Sequence, residues 1–258
     1  MSAAIASPFG FLIGLSLGAL GGGGAILTVP LLVYGLGLPP AAATTSSLLV
    51  VGPVAVWGAL NHWRNDRVRL AEGVVFGLAG LGGSLAGSDL SRSVDPNALL
   101  LLFSALMFSA ALTTFWRIRK ESSGPEQRER ASSGATLAVK VVLAGTGVGF
   151  VTGFFGVGGG FVVVPALVLT LGFSLPEAVG TSLVVIAINS ATALVPRIGA
   201  GDIPWIIVAP LLLAALFGAA AGSRAAGKVE PETLAIIFAA LVSILAAYTA
   251  LRSVAGLM

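Results

Sequence analysis

The apolar segment GFFGVGGGFVVVP, Gly153 to Pro165, repeats GALGGGGAILTVP, Gly18 to Pro30, at an offset of 135 residues. Gly18, Gly21, Gly23, Gly24, Val29 and Pro30 fall on Gly153, Gly156, Gly158, Gly159, Val164 and Pro165, and Ala25 stands in the place of Gly160. In a helix interior a glycine costs about 1 kcal/mol and a proline about 3 relative to alanine. Two such interruptions at equivalent positions therefore need a purpose. In membrane transporters, paired Gly/Pro-broken segments are discontinuous helices and point to the substrate site.

The rest of the composition agrees with a membrane setting. A chain of 258 residues that is 56% hydrophobic and 10% charged, with a mean hydropathy of +1.00, has too much apolar surface to bury in one water-soluble globule. Its apolar runs approach the roughly 20 residues that cross a hydrocarbon core of about 30 Å. They lack the alternation of outer-membrane strands, so helices are the expected spans. With no Cys and one His, disulfides, thiolate chemistry and transition-metal sites are not expected, and no cofactor is implied. The pI of 9.8 does not indicate a nucleic-acid partner, because the basic residues lie in short loops between spans. The opening MSAAIASPFG lacks the basic start of a cleaved signal peptide, so the first apolar run is expected to stay in the protein.

Read in order, the chain divides into a first transmembrane repeat, 1–116, a polar linker, 117–134, and a second repeat, 135–258. Each half holds a broken pair (5–20 with 25–36; 136–155 with 161–171) followed by three apolar spans. The first spans are 41–60 and 177–195, the second about 68–87 and 203–222, the third 97–116 and 232–251. The duplication extends past the glycines. P-x-A-x-x-T-S occurs at Pro40 to Ser46 and, 136 places on, at Pro176 to Ser182, and G-x-x-A-G-S occurs at Gly83–Ser88 and Gly218–Ser223.

If each broken pair enters and returns, or crosses twice, three further spans make the halves point in opposite directions. With the linker in the cytoplasm, Arg64, Arg67, Arg69, Arg117, Arg119, Lys120, Arg128, Arg130, Lys140, Arg224 and Lys228 lie inside. Only Arg92, Arg197 and Arg252, of 14 basic residues, fall outside. This is the positive-inside bias, and it holds in both halves only if they are inverted. The fold expected is an all-α integral membrane protein of two inverted-topology repeats, each a Gly/Pro-broken helical hairpin plus three transmembrane helices, with both termini outside.

The glycine breaks have two readings. They can present backbone N–H groups and the positive end of a half-helix to a small anion, an interaction worth about 0.3–1 kcal/mol and up to about 2. They can also serve close packing by small residues. Duplication of the whole G-x-G-G-[AG]-x-x-x-V-P pattern favours the site. The hydroxyls of Thr44, Thr45, Ser46, Ser47, Thr181 and Ser182, just inside the following spans, can reach a ligand at the break or bond back to their own helix. Asn189, two turns beyond Ser182, can line the same cavity or bridge two helices. His62, Arg64, Asp66, Arg197 and Asp202, at the ends of the first spans, are candidates to gate, attract an anion or carry a proton, His62 being the natural group to titrate near neutrality. The sequence favours the plainer reading, in which they are interfacial residues beside a Trp63 of the aromatic belt, because no charge lies deep in a span.

The doubled glycine motif, the P-x-A-x-x-T-S that follows it and NHWRNDRV after the first span together resemble the sulfite exporter TauE/SafE family, also called the 4-toluene sulfonate uptake permease family. The similarity covers nearly the whole chain. Ala25 in place of a third glycine and TTSS at 44–47 in place of G-T-S-L are departures that leave the second half the better copy. The resemblance implies a bacterial inner-membrane transporter of a small sulfur-containing anion, such as sulfite or sulfoacetate. Export by alternating access would use a site at Gly22, Gly23, Gly24, Ala25, Gly158, Gly159 and Gly160 with Thr45, Ser46, Thr181, Ser182 and Asn189. The alternatives are a passive anion channel and a proton-coupled uptake permease. An enzyme is disfavoured because no nucleophile–base pair can be assembled, His62 being alone and at an interface, and no paired carboxylates lie within the spans.

Overall fold

A computed structural model describes residues 2–22, 25, 28–91, 93–94, 135–155, 160–195 and 203–226, with single helical positions within 102–112 and 233–247. The linker 117–134 and most of both third spans lie outside the described residues. The described elements are all helical: α1 (Ser2–Leu20), α2 (Pro40–Trp63), α3 (Leu70–Ser91), α4 (Ala135–Phe155), α5 (Gly160–Leu171), α6 (Leu175–Leu194) and α7 (Trp205–Ala226). Five of them, α2, α3, α4, α6 and α7, contain stretches long and apolar enough to cross a bilayer. Ala6–Leu20 of α1 and Val162–Leu171 of α5 are shorter apolar pieces on either side of the chain breaks. The outward faces carry Leu85, Phe217, Ile206 and Leu143, each more than two-thirds exposed, as lipid contact requires.

The two broken segments differ in regularity. After the first break the chain forms one short turn, Thr28–Pro30, and a π-helical turn, Leu31–Gly35, before Pro40 opens α2. After the second, α5 runs as one 12-residue helix through Pro165. α3 and α7 also continue past Gly87 and Gly222, where the sequence pattern predicts their ends. Neither glycine terminates a helix; each instead abuts a neighbour's backbone, Gly87 meeting Phe150 and Phe154 of α4, and Gly222 meeting Leu15 and Ala19 of α1.

These contacts belong to two long glycine seams. Along one, Gly10, Gly14 and Gly18 of α1 lie against the main chain of Leu211, Ala215 and Ala219 of α7. Along the other, Gly145, Gly149 and Gly153 of α4 lie against Phe76, Gly80 and Ser84 of α3. Both ladders rise in steps of four, so the helices of each pair run in the same direction. Each contact of the first seam maps onto one of the second by the same 135-residue offset that relates the glycine breaks. The first helix of each half thus lies along the second span of the other half, and small residues let the backbones close with no side chain between them. Thr146 adds a hydroxyl bond across the second seam to the Ala79 carbonyl at 3.3 Å.

The first spans, α2 and α6, cross at the centre. Gly52 meets Ser190 and Gly58 meets Leu183, so position numbers rise on one helix as they fall on the other. Two buried clusters flank this crossing. One joins Ile13, Leu17, Leu32, Val50, Val54, Leu183, Ile186, Leu211 and Ala215, and the other joins Phe76, Val141, Val163, Val164, Leu167, Phe173 and Val185. Residues of both halves enter each cluster.

A β-carbon at Gly149 would press into the backbone of Gly80, whereas Gly147 on the same helix faces open space. Gly149→Ala is expected to cost about 1–3 kcal/mol through overpacking. Gly147→Ala should be neutral or stabilising by up to about 1 kcal/mol. Thermal unfolding of the purified variants in detergent measures the difference.

Candidate functional site

α1 stops at Leu20 because Gly21 turns the chain into the left-handed region, at φ 61°, where a side chain is strained. A Cβ there would also stand 2.8 Å from both the Ser182 hydroxyl and the Val179 carbonyl. The turn presses Gly22 against α6, where its N–H donates to Ser182 Oγ at 3.1 Å. Ser182 Oγ in turn donates to Val179 O at 2.8 Å, one turn back on its own helix. On the other side, the backbones of Gly22 and Gly160 touch, and a Cβ on either would meet the other's carbonyl. The break of the first half and the helix that opens just after the break of the second half are therefore in direct contact, with Ser182 fully buried between α6 and Gly22.

The remaining predicted residues divide by what their polar atoms do. Thr181, also fully buried, accepts the backbone N–H of Arg69 on Oγ1 at 3.0 Å and so anchors the start of α3. Ser46, 136 places before Ser182, is fully buried and its Oγ has no hydrogen-bond partner. Thr28 Oγ1, on the short turn that packs against α2, is in the same condition. A buried hydroxyl without a partner costs roughly 1–3 kcal/mol, so these two stand out among the polar groups of the described residues. Thr45, Ala25 and Asn189 are half-buried. Gly23, Gly24, Gly158, Gly159, Arg197 and Asp202 lie outside the described residues.

The gating candidates separate in a different way. Arg64 and Asp66 are exposed on the turn after α2. His62 is only 4% exposed, unlike the interfacial residue the sequence favours. Its Nε2 lies 3.4 Å from the Gly18 carbonyl, and the backbone of Gly180 on α6 leaves no room for a Cβ between the two chains, its nearest His62 contact being Cβ at 3.0 Å. Since a carbonyl only accepts, Nε2 is the ring nitrogen that carries hydrogen in that bond. His62 also lines a cleft of about 430 Å³, together with Trp57, Asn61, Asn65, Arg67, Ala220, Ser223 and Arg224.

An ion pair that the loop-charge reading of the sequence overlooks joins the two halves nearby. The Arg69 guanidinium donates through Nε and Nη2 to Glu177 Oε1 at 3.2 and 3.1 Å, and Arg69 also packs 5.3 Å from the centre of the Phe173 ring. Glu177 Oε2 accepts from the Ser174 N–H and hydroxyl, which fixes the carboxylate at the start of α6. The S-x-x-E spacing of Ser174 and Glu177 is a helix-start signature that was available in the sequence.

Residues 6–249 match the family described as "Sulfite exporter TauE/SafE". The chain belongs to this family. It is 30% identical over 252 residues to a "Probable membrane transporter protein" of Xylella fastidiosa (strain 9a5c), an alignment that covers 96% of this chain and 95% of that one. It is 27% identical over 253 residues to the "Probable membrane transporter protein YunE" of Bacillus subtilis (strain 168), covering 90% and 89% of the two chains. YdhB of the same organism, another "Probable membrane transporter protein", is 26% identical over 216 residues, covering 83% and 86%. No solved structure matches. As a TauE/SafE member the protein is a multi-pass membrane transporter and not an enzyme.

Ser182→Ala removes the acceptor of the buried Gly22 N–H and is expected to cost about 1–3 kcal/mol of stability. Thr192→Ala, which removes an exposed hydroxyl bonded only within its own helix, should stay within about 0.5 kcal/mol of the parent. Thermal unfolding in detergent distinguishes the two outcomes.

Proposed function

We propose that this TauE/SafE protein exports sulfite or a small organosulfonate such as sulfoacetate, by alternating access of two inverted repeats, 1–116 and 135–258, about the meeting of their glycine breaks. The linker 117–134 lies in the cytoplasm and both termini lie outside the inner membrane. The observation that carries the reading is the contact of Gly22 with Gly160, which joins the two interrupted segments at one point. The opposite running of α2 and α6, and the exchange of equivalent seams between halves, support the inverted repeat.

In this site the anion is held by backbone N–H groups around Gly22 to Ala25 and Gly158 to Gly160, together with hydroxyls of the Thr45–Ser46 and Thr181–Ser182 pairs. Ser46 and Thr28 have the unspent donors. Ser182 spends its hydrogen on Val179 and its lone pair on Gly22, so its part is to hold Gly22 in position. Asn189 lines the same space, and His62, with Arg64, Asp66, Arg197 and Asp202, gates it. No buried cation is needed, because oriented amides and a helix start supply the positive potential. A negative cell interior drives each exported negative charge by about 2.3 kcal/mol per 100 mV, so export needs no coupled ion.

Proteoliposomes loaded with radiolabelled sulfite are expected to release it saturably, and external unlabelled sulfite should accelerate the exit. Non-saturable release without counterflow means a channel, and release whose rate and extent ignore an imposed proton gradient rules out coupling through His62. Ser46→Ala is expected to slow flux about 10-fold or more while leaving the protein folded, since it removes a donor whose hydrogen bond is made only to the anion.

A further inference from the structure

We propose that the cleft between the end of α2 and the end of α7 is an anion-collecting antechamber, in which Arg67 and Arg224 concentrate a small oxyanion before it passes His62 to the glycine break. The idea rests on the anion-transport reading and deepens it by assigning a second, outer site to residues that have no part in the inner one.

Three features of the cleft converge. Its charged lining is of one sign: Arg67 and Arg224 face it with Asn61, Asn65 and Ser223, and no carboxylate is among its lining residues. Among the described residues neither guanidinium has an ion-pair partner, the ion pairs found being those of Arg69 with Glu72 and Glu177. Asp66, next to Arg67, sits in the same turn but is exposed and does not line the cleft. Two guanidiniums with no ion pair among the described residues, facing one recess, raise the local concentration of anions and their arrival rate.

The position of the cleft gives that charge a direction. His62 forms part of its wall and touches the Gly18 carbonyl with Nε2. Gly18 is the last seam glycine before the turn at Gly21, whose neighbour Gly22 is held by Ser182. From the two guanidiniums, past one buried imidazole, the route reaches the main chain that the proposed inner site uses. The amide and hydroxyl donors of Asn61, Asn65 and Ser223 allow a trigonal or tetrahedral oxyanion to be held there by several hydrogen bonds, which favours sulfite or a sulfonate head over a halide.

Trp57 lines the cleft and reports on it without any transport. The experiment uses full-length protein in lipid nanodiscs and takes the Trp57 signal as the difference between parent and Trp57→Phe. Quenching by iodide should fall about 3-fold or more in Arg67→Gln and Arg224→Gln, while quenching by neutral acrylamide stays unchanged. Sulfite at rising concentration should protect Trp57 from iodide in the parent, and markedly less so in the double variant. Lys140→Gln, an exposed charge outside the lining, should alter none of this. Unchanged iodide quenching in both variants, or an equal loss in Lys140→Gln, overturns the antechamber.

Flux then separates this inference from the reading beneath it. In proteoliposomes the double variant should raise the half-saturating sulfite concentration about 3- to 10-fold and flatten its salt dependence, with the maximal rate within about 2-fold of the parent. Parent protein that shows sulfite-protected, arginine-dependent quenching but carries no anion would sink the transport reading and leave the binding cleft standing. A parent that carries sulfite with a half-saturation indifferent to both arginines would do the reverse.

Discussion

Backbone packed directly on backbone is the constraint from which this molecule follows. Along α1 and α7, and again along α3 and α4, a glycine every fourth residue removes the side chain that would hold the helices apart. In hydrocarbon there is little hydrophobic gain in pairing two apolar helices, so close main-chain contact and the dispersion it brings must supply much of the cohesion. Because each seam joins the opening helix of one half to the second span of the other, neither half closes its own core. The two buried clusters on either side of the α2–α6 crossing accordingly draw on both halves.

That interlocking is what makes a broken helix tolerable. A chain interruption inside a bilayer strands main-chain donors and acceptors that water cannot reach. Here the Gly22 N–H finds Ser182, the Gly18 carbonyl finds His62, and the Arg69 N–H at the start of α3 finds Thr181. All three partners come from a different helix from the group they satisfy. Thr28 and Ser46 are left over, and they are where the proposed anion has something to offer.

Much of this could be read from the chain before any coordinates. The doubled glycine motif pointed to the two places where helices end and restart, and of the two roles open to Ser182 the bond back to its own helix is the one present, with the Gly22 N–H added to it. Other features were less legible, for reasons particular to each. The seams were written as Gly10–Gly14–Gly18 and Gly145–Gly149–Gly153, a matching pair at the same offset as the motif, but which helix they would face depends on how the halves interlock. His62 has the neighbours of an interfacial residue in sequence and becomes buried only because Gly180 lets α6 close on it. Arg69 counted as one more loop charge, since its partner Glu177 lies more than a hundred positions away.

The Arg69 cluster bears on the evenness of the two ends. On the offset that superposes α3 on α7, Pro204 stands where Arg69 does, and on that of the P-x-A-x-x-T-S motif, Ala41 stands where Glu177 does. Proline brings neither a guanidinium nor an N–H, so the hold that Arg69 has on Thr181 and Glu177 cannot be reproduced by its counterpart. A near-duplicated chain thus carries this fastening at one of two equivalent positions and not at the other. Any movement that parts α3 from α6 here must first undo two N–H bonds to one carboxylate oxygen and a main-chain bond, a resistance that the duplicate positions have no chemistry to match.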